Sequence, residues 1–259
     1  MTLSTLLTAP LDWVHHHIMV PRRQRAAFRQ EFDTFQQLDA ASAHPGRFAL
    51  DKKNWYPCLE DKTTDTGFDR HYVYHTAWAA RIVQRIQPEV HVDISSSLYF
   101  CSLVSAFVPV RFYDYRPPLL SLPNLTCERG DLMALPFDTD SVESLSCMHV
   151  VEHVGLGRYG DPMDPEGDLK AIAELSRVIR PGGSLLFVVP LAGKPHVAFN
   201  AHRVYSKGQV LAAFPGFNVE EFALIPASAQ QGGLIVSPSD AQLQAESYAC
   251  GCFWLRKKG

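Results

Sequence analysis

The sequence predicts an α/β fold: a mostly parallel sheet with helices on both faces, ending in a C-terminal antiparallel hairpin and preceded by a helical N-terminal extension. Three observations predict it. From residue 76 onward, short apolar runs alternate with amphipathic segments, the pattern that a parallel sheet covered on both faces requires. One run, Leu185-Leu186-Phe187-Val188-Val189, is apolar without alternation, as in a strand buried on both sides. The chain of 259 residues is 46% hydrophobic and 20% charged, enough for one main soluble domain plus an extension.

The parts divide at 1–75 and 76–259. In the first, residues 21–39 place Ala26, Phe28, Phe32 and Phe35 near helical spacing among polar residues, which predicts an amphipathic helix, and a loop follows through Pro45-Gly46 and Pro57. In the second, a helix over 76–86 stops before Pro88, and the first strand is Val90 to Ile94. A helix over Leu98 to Phe107 leads to strands at Val110 to Tyr113, Leu125 to Glu128 and Val142 to Met148. Asp164 as N-cap and Pro165 in the first turn open a helix that runs to Arg180, where Pro181-Gly182-Gly183 stops it. Ser184 to Val189 is the fifth strand. A helix near 206–214, a strand at Val219 to Ile225, a long loop over 226–245 and a strand at Tyr248 to Leu255 complete the chain.

The formal net charge of -3 gives no global attraction to nucleic acid or to anionic lipid, and the cluster Arg22, Arg23, Arg25 and Arg29 reads as a solvated helix face. No apolar run approaches the ~18 residues of a membrane span, and the start lacks the features of a secretory signal, so the expected location is cytoplasmic. The six cysteines read as reduced thiols; Cys250 and Cys252 share one strand face as packing residues, and the run His15-His16-His17 reads as surface. No metal site is assigned.

In an open sheet of this Rossmann-like kind the ligand lies beyond the carboxyl ends of the strands, where strand order reverses. Asp114 ends the second strand, 21 positions after Asp93 in the first, and its two carboxylate oxygens suit the two hydroxyls of a ribose. The third exit reads Gly130-Asp131-Leu132, with a carboxylate for an adenine amino group and an apolar side chain for the ring. The fourth reads His149-Val150-Val151-Glu152-His153.

With these residues in place the chain resembles a known family. Asp93-Ile94-Ser95, the acid at 114, Gly130-Asp131 with Leu135-Pro136-Phe137, the strand before Glu152-His153, and Arg180-Pro181-Gly182-Gly183 look like the ordered motifs of class I S-adenosylmethionine-dependent methyltransferases, over about 180 residues. Ser146 to His153, Gly155 to Asp161 and Asn200 to Arg203 look like a group of that clan known only as a domain of unknown function. The resemblance implies S-adenosylmethionine as cofactor, held by Asp93, Ser95, Asp114, Asp131 and Leu132. One departure stands out: the family has glycines after the first-strand acid, where the backbone approaches the cofactor, and this chain has Ser95, Ser96 and Ser97.

The expected reaction is direct methyl transfer to a small-molecule hydroxyl, with a sugar as one candidate acceptor. His153 is the first choice of base and His149 the second, with Glu152 orienting the imidazole. Arg158, Tyr159, His202 and Arg203 follow neighbouring strand exits and are expected to bind the acceptor, with Trp55, Tyr56, Tyr72 and Tyr74 as candidates for a lid. Two motifs point elsewhere. Gly155-Leu156-Gly157-Arg158-Tyr159-Gly160 matches a dinucleotide glycine pattern, but it leads into Asp161-Pro162 rather than a helix. His149 to His153 matches the H-x-x-E-H zinc signature, but His149 falls at a strand-to-helix turn. The competing accounts are therefore an inactive methyltransferase-like binding module, suggested by the serine turn, and a zinc-dependent hydrolase.

Overall fold

The computed structural model describes residues 20–259, so His15-His16-His17 lie outside the described residues. The chain divides into two compact units, up to Gly67 and from Phe68 to Gly259. In the first, helix α1 spans Val20–Ala40. Of its expected apolar positions, Phe28 and Phe32 are half-buried and pack edge-on against Trp55 at 5.2 and 5.1 Å, whereas Ala26 and Phe35 are exposed. Arg22, Arg23, Arg25 and Arg29 are exposed.

The second unit opens with helix α2 (Arg70–Ile86). It starts six residues before the expected 76, because Asp69 caps it by accepting a hydrogen bond from the Tyr72 amide. The elements that follow are β1 (His91–Ile94), α3 (Leu98–Val104), β2 (Val110–Asp114), β3 (Leu125–Arg129) and β4 (Val142–Met148). Helix α4 covers Gly167–Val178 and strand β5 Ile179–Leu191. The expected N-cap, Asp164, instead closes a turn before the helix, accepting from the amides of Glu166 and Gly167. Pro181-Gly182-Gly183 does not stop the helix, which has ended at Val178; it forms a bulge in β5, where pairing with β4 skips from Val142–Ile179 to Ser144–Ser184.

The remaining elements are a hairpin of β6 (His196–Ala198) and β7 (His202–Val204), α5 (Lys207–Ala213), β8 (Phe217–Ile225), β9 (Ile235–Val236), α6 (Asp240–Ala245) and β10 (Ala249–Lys257). The stretch 226–245 is thus not a bare loop; it holds β9 and α6, the latter started by a Ser239/Gln242 capping box.

The eight-stranded sheet has the order β3-β2-β1-β4-β5-β10-β8-β9. Strands β1 to β5 pair in parallel, while β10 runs antiparallel to both β5 and β8, which is the expected C-terminal reversal. Helices cover both faces. Leu185, Phe187 and Val189 join the core under α4, with Ala171, Leu175 and Val178. Leu186 and Val188 join the opposite core under α2 and α3, with Trp78, Ile82 and Phe100. That division explains why β5 reads as apolar without alternation. The strand order reverses between β1 and β4, which places the expected site there.

Candidate active site

The turn after β1 is built from inside. Asp93 is fully buried, accepting from the Ser96 amide at 2.9 Å and from the Ser146 hydroxyl on β4. Ser146 also bonds His91, whose other ring nitrogen reaches Ser144 at 2.8 Å. Asp93 therefore shapes the turn and offers no oxygen to a ligand, a correction to its expected role. Ser95 carries a left-handed backbone, φ +55°, the conformation that glycine adopts most easily. Its hydroxyl donates to the Tyr113 carbonyl at 3.2 Å, and the Ser96 hydroxyl accepts from the Met148 amide at 3.0 Å. The backbone course suited to glycine is kept, while both hydroxyls serve the scaffold rather than a cofactor carboxylate.

The next two exits carry the other acids. Asp114, half-buried at the end of β2, spends one oxygen on the Arg116 amide at 2.7 Å; Asp131, exposed just beyond β3, spends one on the Met133 amide at 2.9 Å. Among the described residues, nothing takes the second oxygen of either. The strands are neighbours, with Asp114 opposite Arg129. Leu132 is buried in the core with Tyr113 and Leu135, so it forms the floor between these exits.

Beyond β4 lies a cleft of about 560 Å³ lined by Asp69, His71, Tyr72, His149, Glu152, His153, Arg158, Tyr159, His202 and Tyr248, among others. Of the seven residues expected for catalysis and acceptor binding it brings together His149, Glu152, His153, Arg158, Tyr159 and His202, and with them Tyr72 from the expected lid. His149 also has a left-handed backbone, φ +57°, at the end of β4, and such local strain concentrates at functional sites. Glu152 is buried and accepts from His149 Nδ1 at 2.9 Å, while His153 Nε2 is 3.8 Å away. The carboxylate thus orients His149 more directly than His153, the reverse of the expected pairing. A carbonyl fixes His153 instead: Nδ1 donates to Ala201 at 2.6 Å, which places the lone pair of the neutral ring on Nε2. Tyr159 packs edge-on against that ring at 5.7 Å, and Arg158 holds the Ala201 carbonyl at 3.0 Å. Burial lowers the pKa of His202.

Arg203 does not line this cleft. It is buried and donates to the carbonyls of Val154, Asp164 and Pro165, with Nε 3.5 Å from Asp168, so it ties the loop before α4 to β7. Neither competing motif forms its expected site. The glycine run is a loop closed by Asp161, which accepts from the amides of Gly155, Gly157 and Tyr159. His149 to His153 is a turn with a short 3-10 segment over Val151–His153, so the two histidines do not share a helix face, and they point to different partners.

Sequence reasoning missed His71 and Cys250. His149 Nε2 lies 3.4 Å from the Cys250 sulfur, and the His71 ring stacks on His149 at 5.8 Å with its plane 5° off parallel. His71 and His75 stand four apart at the start of α2, the one local signal that pointed to this corner. Burial holds both nearly always neutral, His71 near 4 and His75 near 3, with the neighbouring His149 lowering them further.

The strand order defines a Rossmann-like fold, the one that methyltransferases of known structure share. The chain is 11% identical to 1,6-didemethyltoxoflavin-N1-methyltransferase from Burkholderia thailandensis, solved with 1,6-didemethyltoxoflavin and S-adenosylhomocysteine, at a TM-score of 0.51 over 97% of this chain and 93% of that one. It is 13% identical to a protein provisionally described as a sarcosine dimethylglycine methyltransferase from Galdieria sulphuraria, at a TM-score of 0.50 over 72% and 86%. At these identities the likeness is one of fold. Residues 136–230 match the family described as "Caenorhabditis protein of unknown function, DUF268". No curated protein matches the chain.

Proposed function

We propose that this protein is an S-adenosylmethionine-dependent methyltransferase acting on a hydroxyl of a small molecule, a sugar among the candidates. One observation carries the reading: Asp114 and Asp131 stand at adjacent exits beside a first turn whose Ser95 keeps the left-handed backbone, at the reversal of strand order. These residues fit a nucleoside. Asp114 would accept from the ribose hydroxyls and Asp131 from the adenine amino group, over the floor made by Leu132. The cofactor, when bound, supplies an electrophilic methyl group on a sulfonium.

The chain's own groups prepare the acceptor. His153 has its proton fixed on Nδ1 by Ala201, so Nε2 is placed to take the proton of a hydroxyl lying in the cleft. Arg158, Tyr159 and His202 form the wall that orients it. Orientation alone is worth much, since well-placed reactants reach effective molarities of about 10⁵–10⁸ M. Among the described residues no helix is long and apolar enough to cross a membrane. All six cysteines are unpaired, which supports a reducing, cytoplasmic setting.

The scaffold's use of the Ser95 and Ser96 hydroxyls favours a second reading, a binding module without catalysis. Calorimetric titration with S-adenosylhomocysteine separates the two. The proposal expects saturable heat that Asp114→Ala weakens; no heat from the wild-type chain would leave the module.

A further inference from the structure

We propose that His71, His149 and Cys250 bind one divalent transition-metal ion of the zinc class. One ligand atom from each lies within 4.8 Å of the others, with Cys250 Sγ and His149 Nε2 3.4 Å apart. With metal–nitrogen bonds of about 2.0–2.1 Å and metal–sulfur bonds of about 2.3 Å, a tetrahedral edge between such atoms is roughly 3.5 Å. Only small side-chain adjustments separate this cluster from that geometry. Thiolate and imidazole are also the donors that zinc-class ions prefer over magnesium or calcium.

The hydrogen-bond pattern suits a cation at this cluster. His149 Nδ1 donates to Glu152, so in the neutral ring Nε2 presents a lone pair to the Cys250 sulfur. A carboxylate behind a ligating histidine is the usual support for such a site, since it fixes the tautomer and raises basicity. Two buried acceptors nearby have no partner among the described residues: the second Glu152 oxygen, and Nε2 of His75. The latter ring bonds the His71 carbonyl through Nδ1 and packs against His149 at 5.1 Å. An ion on Nε2 of His149 would sit across the ring from Glu152, whose negative charge it would offset. Binding through the Cys250 thiolate releases the thiol proton to solvent.

This inference revises the reading of Cys250 as a packing residue and differs from the H-x-x-E-H hydrolase, because His153 takes no part. His71 and His149 line the cleft, so a coordination position left open by the protein faces the proposed acceptor site. The site uses neither Asp114 nor Asp131, so metal binding and cofactor binding fail or succeed separately.

The test is titration of cobalt(II) chloride into the metal-free full-length protein. The expected result is saturation at one ion per chain, thiolate-to-cobalt charge-transfer absorption in the near ultraviolet, intense visible bands of a four-coordinate ion, and displacement of both by zinc. Cys250→Ser removes the charge-transfer band. Glu152→Gln weakens binding about 10–100-fold, and His71→Ala weakens it further. Cys250 is buried in the sheet, so His71→Ala, on the cleft wall and checked by circular dichroism, decides the matter should Cys250→Ser not fold. A weak octahedral spectrum at saturating cobalt, or binding that His71→Ala leaves unchanged, would overturn the proposal.

Discussion

A β-carbon on Gly155 would sit 2.1 Å from the Asp164 carbonyl oxygen, and Gly155 has φ +80°. Gly160, in the same loop, has φ +85° and open space around it. Gly160→Ala therefore loses only the left-handed preference, about 1–2 kcal/mol, whereas Gly155→Ala adds a backbone collision and loses more. Urea unfolding of the two variants checks this; equal midpoints would mean that the Asp164 contact is not made. His153 supports a prediction about turnover. Its Nδ1 is committed to the Ala201 carbonyl, leaving Nε2 as the base, so His153→Gln should lower kcat about 10²–10⁴-fold while leaving S-adenosylhomocysteine affinity unchanged, and an unchanged kcat would remove it as base. That His153, Glu152, Arg158 and Tyr159 share one cleft was legible, because they follow a single strand exit. Arg203 was misread, because sequence does not reveal that three carbonyls of a distant loop surround its guanidinium. Cys250 was hidden for a similar reason: it meets His71 and His149 only through strand pairing far along the chain.

Strand β1 buries an acid and an imidazole on one hydrogen-bonded chain, and their titrations oppose each other. Burial pushes Asp93 up to about 6 from 3.8 and His91 down to about 3 from 6.5. The folded chain holds the Asp93 proton more tightly than the unfolded chain does. Its contribution is therefore full below pH 3.8 and lost as pH rises through about 6. His91 is kept neutral, so its contribution is full above 6.5 and lost as pH falls through about 3. Between them the slopes offset. Relative to wild type, Asp93→Asn should gain stability as pH rises from about 4 to 6, and His91→Gln should lose it over the same range. Urea midpoints across that range test the pair, and variant profiles parallel to wild type would contradict it. At this scale the strands were largely legible and the helix starts were not. Apolar runs declare β4, β5 and β8 wherever they pair, but α2 begins with the polar stretch Arg70-His71-Tyr72, where a single capping bond from Asp69 decides the boundary.

The whole molecule combines a fold shared by many chemistries with a site that must be tested on its own terms. Alternation of strand and helix was enough to foretell a parallel sheet, and the C-terminal reversal followed from the apolar runs at its end. The short pieces β6, β7, β9 and α6 stayed hidden, because two or three strand residues carry no periodicity. Asp114 and Asp131 make a nucleoside site by engaging one ligand together. Thermal unfolding reads that engagement across the whole chain. A ligand that binds only the folded state adds about 2.7 kcal/mol at a hundredfold excess over Kd. For a chain of this size each kcal/mol is worth roughly 2–4 °C, so saturating S-adenosylhomocysteine should raise Tm by roughly 5–10 °C. Asp114→Ala, whose carboxylate is half-buried and among the described residues bonds only the nearby Arg116 amide, should keep a near-native Tm without ligand and lose most of that rise. A wild-type Tm unmoved by saturating ligand would separate the sheet from the nucleoside and leave the cleft beyond β4 to be explained by other chemistry.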